Sequence, residues 1–145
     1  GVHPKLVKNS GMDEHVCTQE EGMYVGFKTD PLTSSGEVID VNTNKKFTGI
    51  LKEDENAAHF QMLFPNIFYF LFPNHLFSVI IEPVSPTKSI EKAVLMVEDD
   101  SDEEWINNLW KFYDEVNIED LEICEAVQEG IKCDIYNGGR MVPKY

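Results

Sequence analysis

Two stretches near opposite ends of the chain carry residue types that bind metals. One is His3-Pro4; the other is Asn117-Ile118-Glu119-Asp120 running into Ile123-Cys124-Glu125-Ala126-Val127-Gln128-Glu129-Gly130. Imidazole and carboxylate are donors that iron(II) takes well. Two neutral imidazoles and one carboxylate on one face of the metal leave the opposite positions open for dioxygen or water. The two stretches offer two of those three donors. Taken singly, each has a plainer reading: His3 as a terminal histidine, and Asp120 as a charge near a helix N-terminus, where the dipole favours acids. Glu119 is the acid most easily confused with Asp120, about 100° around a helix from it. His15, in an acidic polar stretch, His59, opening a strand, and His75, in a turn, are weaker candidates, because isolated histidines are more often structural or solvated.

Cys17, Cys124 and Cys133 are too widely spaced for a metal knuckle and odd in number. They read as reduced, mostly buried thiols that hold no iron–sulfur cluster by themselves. No Gly-x-Ser-x-Gly, Gly-x-x-x-x-Gly-Lys or Gly-x-Gly-x-x-Gly is present, so hydrolase and nucleotide chemistry have no foothold.

Several elements have to position these residues. Gly22 to Lys28 alternates weakly and reads as a strand leading into turns at Asp30-Pro31 and Ser34-Ser35-Gly36; a weaker strand is expected from Glu37 to Val41, and 42–56 reads as loop. The first twenty residues look polar and irregular. From His59 onward, four apolar runs (Phe60 to Phe64, Ile67 to Phe72, Leu76 to Glu82, Ser89 to Val97) are separated by Pro-Asn, Pro-Asn-His and Pro-Val-Ser-Pro. Proline removes a ladder donor and asparagine tolerates tight turns, so an antiparallel meander is expected. Ile67 to Phe72 is apolar at every position, which predicts cover on both faces.

Ser101-Asp102-Glu103-Glu104 is a helix start, with a capping oxygen followed by acids. Trp105, Leu109, Phe112 and Val116 then form one apolar stripe. The stripe changes phase at Val116-Asn117 and resumes at Leu121, Cys124, Val127 or Gln128, and Ile131. This predicts a kinked or two-piece helix of about 30 residues, with Asn117 capping its second part and Asp120 in that part's first turn. The architecture expected is α+β: a sheet gripping a long C-terminal helix, with the pocket between them. Phe64, Phe68, Tyr69, Phe70 and Phe72 are candidates for its lining, although aromatic strands are more often plain core. Gln128 and Glu125 either support the acid or pack against the sheet.

Composition narrows the partners. The 145 residues, 42% hydrophobic, suit one domain with a real core. A net charge of -14, with 12 Lys and Arg against 26 acids, argues against a nucleic-acid partner, which needs cations to displace condensed counterions. No apolar run is long enough to span a membrane and no secretory leader is evident, so a cytoplasmic protein is expected.

His3-Pro4, the Phe64-Pro65-Asn66 turn, Asn117 to Gly130 and the closing Tyr136-Asn137-Gly138-Gly139-Arg140 together resemble the C-terminal catalytic domain of Rieske-type ring-hydroxylating oxygenase α subunits. Within that family they most resemble the branch that includes choline and carnitine monooxygenases. The specific part is Glu119-Asp120-x-x-x-Cys124-Glu125-x-Val127-Gln128-x-Gly130. The resemblance implies a helix-grip fold of the START/Bet v 1 kind, here a partial catalytic domain over 1–145. It implies a mononuclear iron(II) held by His3 and Asp120; beside such a site, Glu119 and Gln128 are candidates for supporting the ligands, and Phe64, Phe68, Tyr69 and Phe70 candidates for touching substrate. The earlier histidine of the family's pattern would fall upstream of Gly1, and the Rieske 2Fe–2S domain is absent from this sequence, so the chain by itself is expected to be inactive. The reaction implied is hydroxylation by O2, as a mono- or dioxygenase, of a small organic substrate: an aromatic compound under catabolism, or an N-methyl or quaternary ammonium compound. Electrons would come from a Rieske domain served by a reductase or ferredoxin, and homo-oligomers, often trimers, are implied. The competing account is a non-catalytic helix-grip module that binds a hydrophobic small ligand, with the His–Asp pair accidental.

Overall fold

Turns built on proline and asparagine fold the apolar runs back on one another into a single meander. The computed structural model describes residues 15–19, 23–29 and 44–139. Its strands are β1 His15–Gln19, β2 Tyr24–Thr29, β3 His59–Leu63, β4 Ile67–Leu71, β5 Leu76–Ser85 and β6 Lys88–Met96. They pair in sequence order, all antiparallel, in one six-stranded sheet. The helix α1, Glu103–Gly130, follows. The turn between β3 and β4 contains a cis Phe64-Pro65 bond. Asn66 ties that turn to β5: its Nδ2 donates to the Ile81 carbonyl at 2.8 Å, while the Ile81 N–H donates back to the Asn66 carbonyl.

β1 lies in the stretch expected to be irregular. Its backbone pairs with β2 from His15 opposite Thr29 to Gln19 opposite Val25. It has almost no apolar alternation of its own, so the pairing edge of β2 defines it. The expected strand from Glu37 to Val41 lies outside the described residues. Between β2 and β3, the segment 44–57 is loop with one 3-10 turn at Lys52–Asp54, as its polar composition implies.

The register puts Phe27 opposite Phe60, Phe60 opposite Phe70, Phe70 opposite Phe77 and Phe77 opposite Leu95, one continuous row across five strands. Neighbouring rings in this row meet at 4.9, 5.6 and 6.1 Å between centroids. Because side chains alternate along a strand, the whole row lies on one face, and α1 covers it. Leu109, Phe112 and Tyr113 are buried against it, and the Tyr113 ring stacks on Phe77 at 3.8 Å. The continuous apolar run of β4 divides accordingly. Phe68 and Phe70 pack against this core, while Ile67 and Tyr69, on the other face, are half-buried and Leu71 is exposed. That face has partial cover, less than the sequence implies.

Asp102 caps α1, its Oδ1 accepting from the Trp105 N–H at 2.8 Å, and Glu103 and Glu104 fill the first turn. The stripe Trp105, Leu109, Phe112 and Val116 faces the sheet as expected. The break at Asn117 does not occur: α1 is helical without interruption from Glu103 to Gly130. An interior asparagine costs only roughly 0.5 kcal/mol relative to alanine, too little to stop a helix already propagating. The phase change seen in the sequence marks where the helix outruns the sheet. Beyond Val116, Ile118, Leu121, Ile123 and Val127 are all exposed.

Candidate metal centre at the open end of the sheet–helix space

Asp120 lies seven residues after Tyr113 and four after Val116, so it shares their sheet-facing side of α1. The positions three, four and seven further on are Ile123, Cys124 and Val127, which makes Asp120 an acid set within an apolar stripe. Here the stripe is open: Ile123 is 41% exposed, Val127 55%, and Asp120 itself is exposed. Being deep inside the helix, Asp120 gains nothing from the N-terminal dipole, which fades within the first turn. The first-turn placement expected for it does not hold.

The sheet contributes a second carboxylate to this end. Glu91 pairs with Ile81 and, by alternation, shares a face with Ala93 and Leu95, which pack against the core. Desolvation, and then the charge of Asp120, hold the Glu91 carboxyl above the usual carboxylate range. The charge of one acid therefore disfavours ionisation of the other. Among the described residues, however, no group of three or more His, Cys, Asp or Glu gathers that could hold a metal ion. The described part therefore fits as one side of a metal site, not a whole one. His3 lies outside the described residues. Glu119 and Gln128 are half-buried on α1, and Glu125 is exposed.

The five aromatic candidates separate, Phe72 being buried in the core. Phe68 and Phe70 face α1 on the sheet side that carries Glu91. Tyr69 is on the far face, and Phe64 is in the β3–β4 turn, 64% exposed. Between the sheet and the first half of α1 the space is filled with side chains. Among the described residues an open cleft of about 420 Å³ lies elsewhere: the loop 44–57 forms it with β3 and β4, lined by Phe47, Ile50, Asp54, His59, Gln61 and Leu71 among others. At its wall Asp54 Oδ1 meets Lys28 Nζ at 2.6 Å and His59 Nε2 at 2.9 Å. The hydrogen bond from Lys28 holds the Asp54 carboxyl below its ordinary range, against the effect of burial.

His75 is the residue whose surroundings the sequence hid. It is fully buried although it sits between strands in a Pro-Asn-His turn. Its Nδ1 meets Asn74 Oδ1 at 2.8 Å and its Nε2 meets the Tyr113 hydroxyl at 2.7 Å. Its ring stacks on Phe72 at 4.5 Å. Burial pushes its pKa down to about 3 and raises that of the Tyr113 phenol. Nothing in the spacing of residues 75 and 113 signals the pair; only the crossing of α1 over the turn creates it. Cys124 and Cys133, expected to be mostly buried, are exposed, because the second half of α1 and the segment after it leave the sheet.

An antiparallel meander gripping one long helix defines the chain as an α+β helix-grip domain. The family model for the ring hydroxylating alpha subunit (catalytic domain) matches residues 1–144, and the chain belongs to that family, whose members are enzymes. Among solved structures, the chain is similar to the quaternary ammonium Rieske monooxygenase CntA in complex with inhibitor MMV12, at 18% identity and a TM-score of 0.72. It is also similar to a quaternary ammonium Rieske monooxygenase studied for carnitine oxidation by gut microbiota and inter-subunit electron transfer, at 19% identity and a TM-score of 0.73. Each likeness covers 94% of this chain and 34% of the other, so the chain spans about a third of those proteins' length. No curated protein matches it. Among the described residues, no helix is long and apolar enough to cross a membrane.

Proposed function

We infer that the chain is the catalytic-domain part of a Rieske-type non-haem iron oxygenase, with Asp120 as the carboxylate ligand and His3 as one imidazole ligand of a mononuclear iron(II). The observation that carries this reading is the place of Asp120: an acid inside the sheet-facing apolar stripe of α1, where the helix leaves the packed core. Iron held there supplies the activation of dioxygen. The residues of this chain hold the ligand acid, with Glu119 and Gln128 beside it, and give substrate an apolar wall of Phe68, Ile123 and Val127. The second imidazole and the Rieske 2Fe–2S cluster belong to sequence not contained in these 145 residues. A reductase or ferredoxin would supply the electrons, in a homo-oligomer such as a trimer.

A quaternary ammonium or N-methyl substrate is the class we favour, in a monooxygenase reaction. The fold likeness is to quaternary ammonium monooxygenases, and aromatic faces such as Phe68 attract such cations. The test is turnover by the longer protein, reduced by its electron donor, on a quaternary ammonium compound and on an aromatic hydrocarbon side by side. Hydroxylation of the ammonium compound is expected. Hydroxylation of the aromatic alone would overturn the substrate class, and hydroxylation of neither by iron-loaded, reduced protein would overturn the function. The 145-residue chain alone is expected to turn over neither substrate.

A further inference from the structure

Tyr113, His75 and Asn74 form a hydrogen-bonded line in the core, and each has one chemical role open to it. Asn74 Oδ1 only accepts, so His75 Nδ1 carries a proton and donates to it at 2.8 Å. His75 Nε2 is then a lone pair, and the Tyr113 hydroxyl donates to it at 2.7 Å. A buried phenol aimed at a neutral imidazole can lose an electron without losing its proton to water. The surroundings suit the cation that would form: His75 stacks on Phe72 at 4.5 Å, and the face of an aromatic ring attracts a cation. The phenol also has a route outward. Its ring stacks on Phe77 at 3.8 Å, and Phe77 meets Trp110, which is 39% exposed, at 6.1 Å.

The geometry points to Tyr113 and His75 as a redox-active pair: one electron leaves the Tyr113 phenol for a stronger one-electron oxidant as its hydroxyl proton moves to His75 Nε2, leaving a neutral phenoxyl radical beside an imidazolium. One electron from the reductase or ferredoxin of the oxygenase reading returns the proton to Tyr113 and restores the pair. Both N–H groups of the imidazolium keep partners, Asn74 Oδ1 on one side and the phenoxyl oxygen on the other. The use of the pair rests on the oxygenase reading. Tyr113 and Asp120 share a helix face, two turns and roughly 10 Å apart along the axis, so Tyr113 is placed to accept oxidising equivalents that fail to reach substrate. The chemistry of the pair itself needs no metal.

The test therefore uses the metal-free 145-residue chain. Tyr24, Tyr69, Tyr136 and Tyr145 are changed to Phe so that Tyr113 is the remaining tyrosine, and photogenerated ruthenium(III) tris-bipyridine serves as the oxidant. The expected result is a tyrosyl radical in freeze-trapped EPR that is lost when Tyr113→Phe is added. High-field EPR adds a readout that needs no change at the pair: with the proton held by His75, the phenoxyl oxygen still accepts a hydrogen bond. Absence of a tyrosyl signal from protein that is folded by circular dichroism would overturn the proposal. So would a radical whose oxygen accepts no hydrogen bond, since the proton would then have gone elsewhere. Because the measurement is blind to iron, its failure is separate from a failure of Asp120 to bind metal.

Discussion

His75 is held as a neutral ring because every favourable contact it makes is to a neutral partner and none is to solvent. Its pKa, about 3 in the fold, lies below the ordinary 6.5, so the unfolded chain takes up the proton first as pH falls. The contribution of His75 is complete above pH 6.5 and is lost progressively as pH falls from 6.5 towards 3, amounting to about 3 kcal/mol by pH 4. Urea unfolding across that range should show the loss, and a variant with His75→Phe should show a shallower slope if it folds. Equal slopes would mean that His75 is not buried neutral. At this scale little was legible from sequence. Asp120 could be singled out by its motif, but Glu91, whose carboxyl feels its charge, and Tyr113, which meets His75, come from other elements at distances along the chain that no local pattern encodes.

At the scale of elements, the meander was legible because its turns are written in proline and asparagine and its strands in apolar runs; the exception is Pro83-Val84-Ser85, expected as turn, which continues β5 through a register irregularity against β6. β1 was not, since its partner supplies what its own residues lack. The helix start was read correctly, and its cap is specific: Asp102→Ala should lower stability by about 1 kcal/mol, measured by chemical denaturation. The supposed break at Asn117 was misread for a physical reason, because a helix that outruns its sheet loses its apolar phase without losing its hydrogen bonds. Asn117→Ala discriminates the two accounts. In a continuous helix it is neutral or stabilising by a few tenths of a kcal/mol, whereas loss of an internal cap would cost about 1 kcal/mol.

At the scale of the whole molecule, two features converge on the second half of α1. Ile118, Leu121, Ile123 and Val127 are exposed there. Asp114, Glu115, Glu119, Asp120, Glu122, Glu125 and Glu129 follow one another with no Lys or Arg between Lys111 and Lys132, and the last turn carries no base against the helix dipole. The first half of α1 is capped and packed; the second is acidic, apolar and open. The sequence showed the acids and the apolar stripe, but only the fold shows that they extend past the sheet.

Iron content tests the central claim most directly. It is measured per chain on the longer protein purified without oxygen, with Asp120→Ala and Glu119→Ala compared against the parent and folding checked by circular dichroism. Loss of iron from the Asp120 variant alone, with the fold intact, is the expected result. Full iron retention by folded Asp120→Ala protein would contradict it.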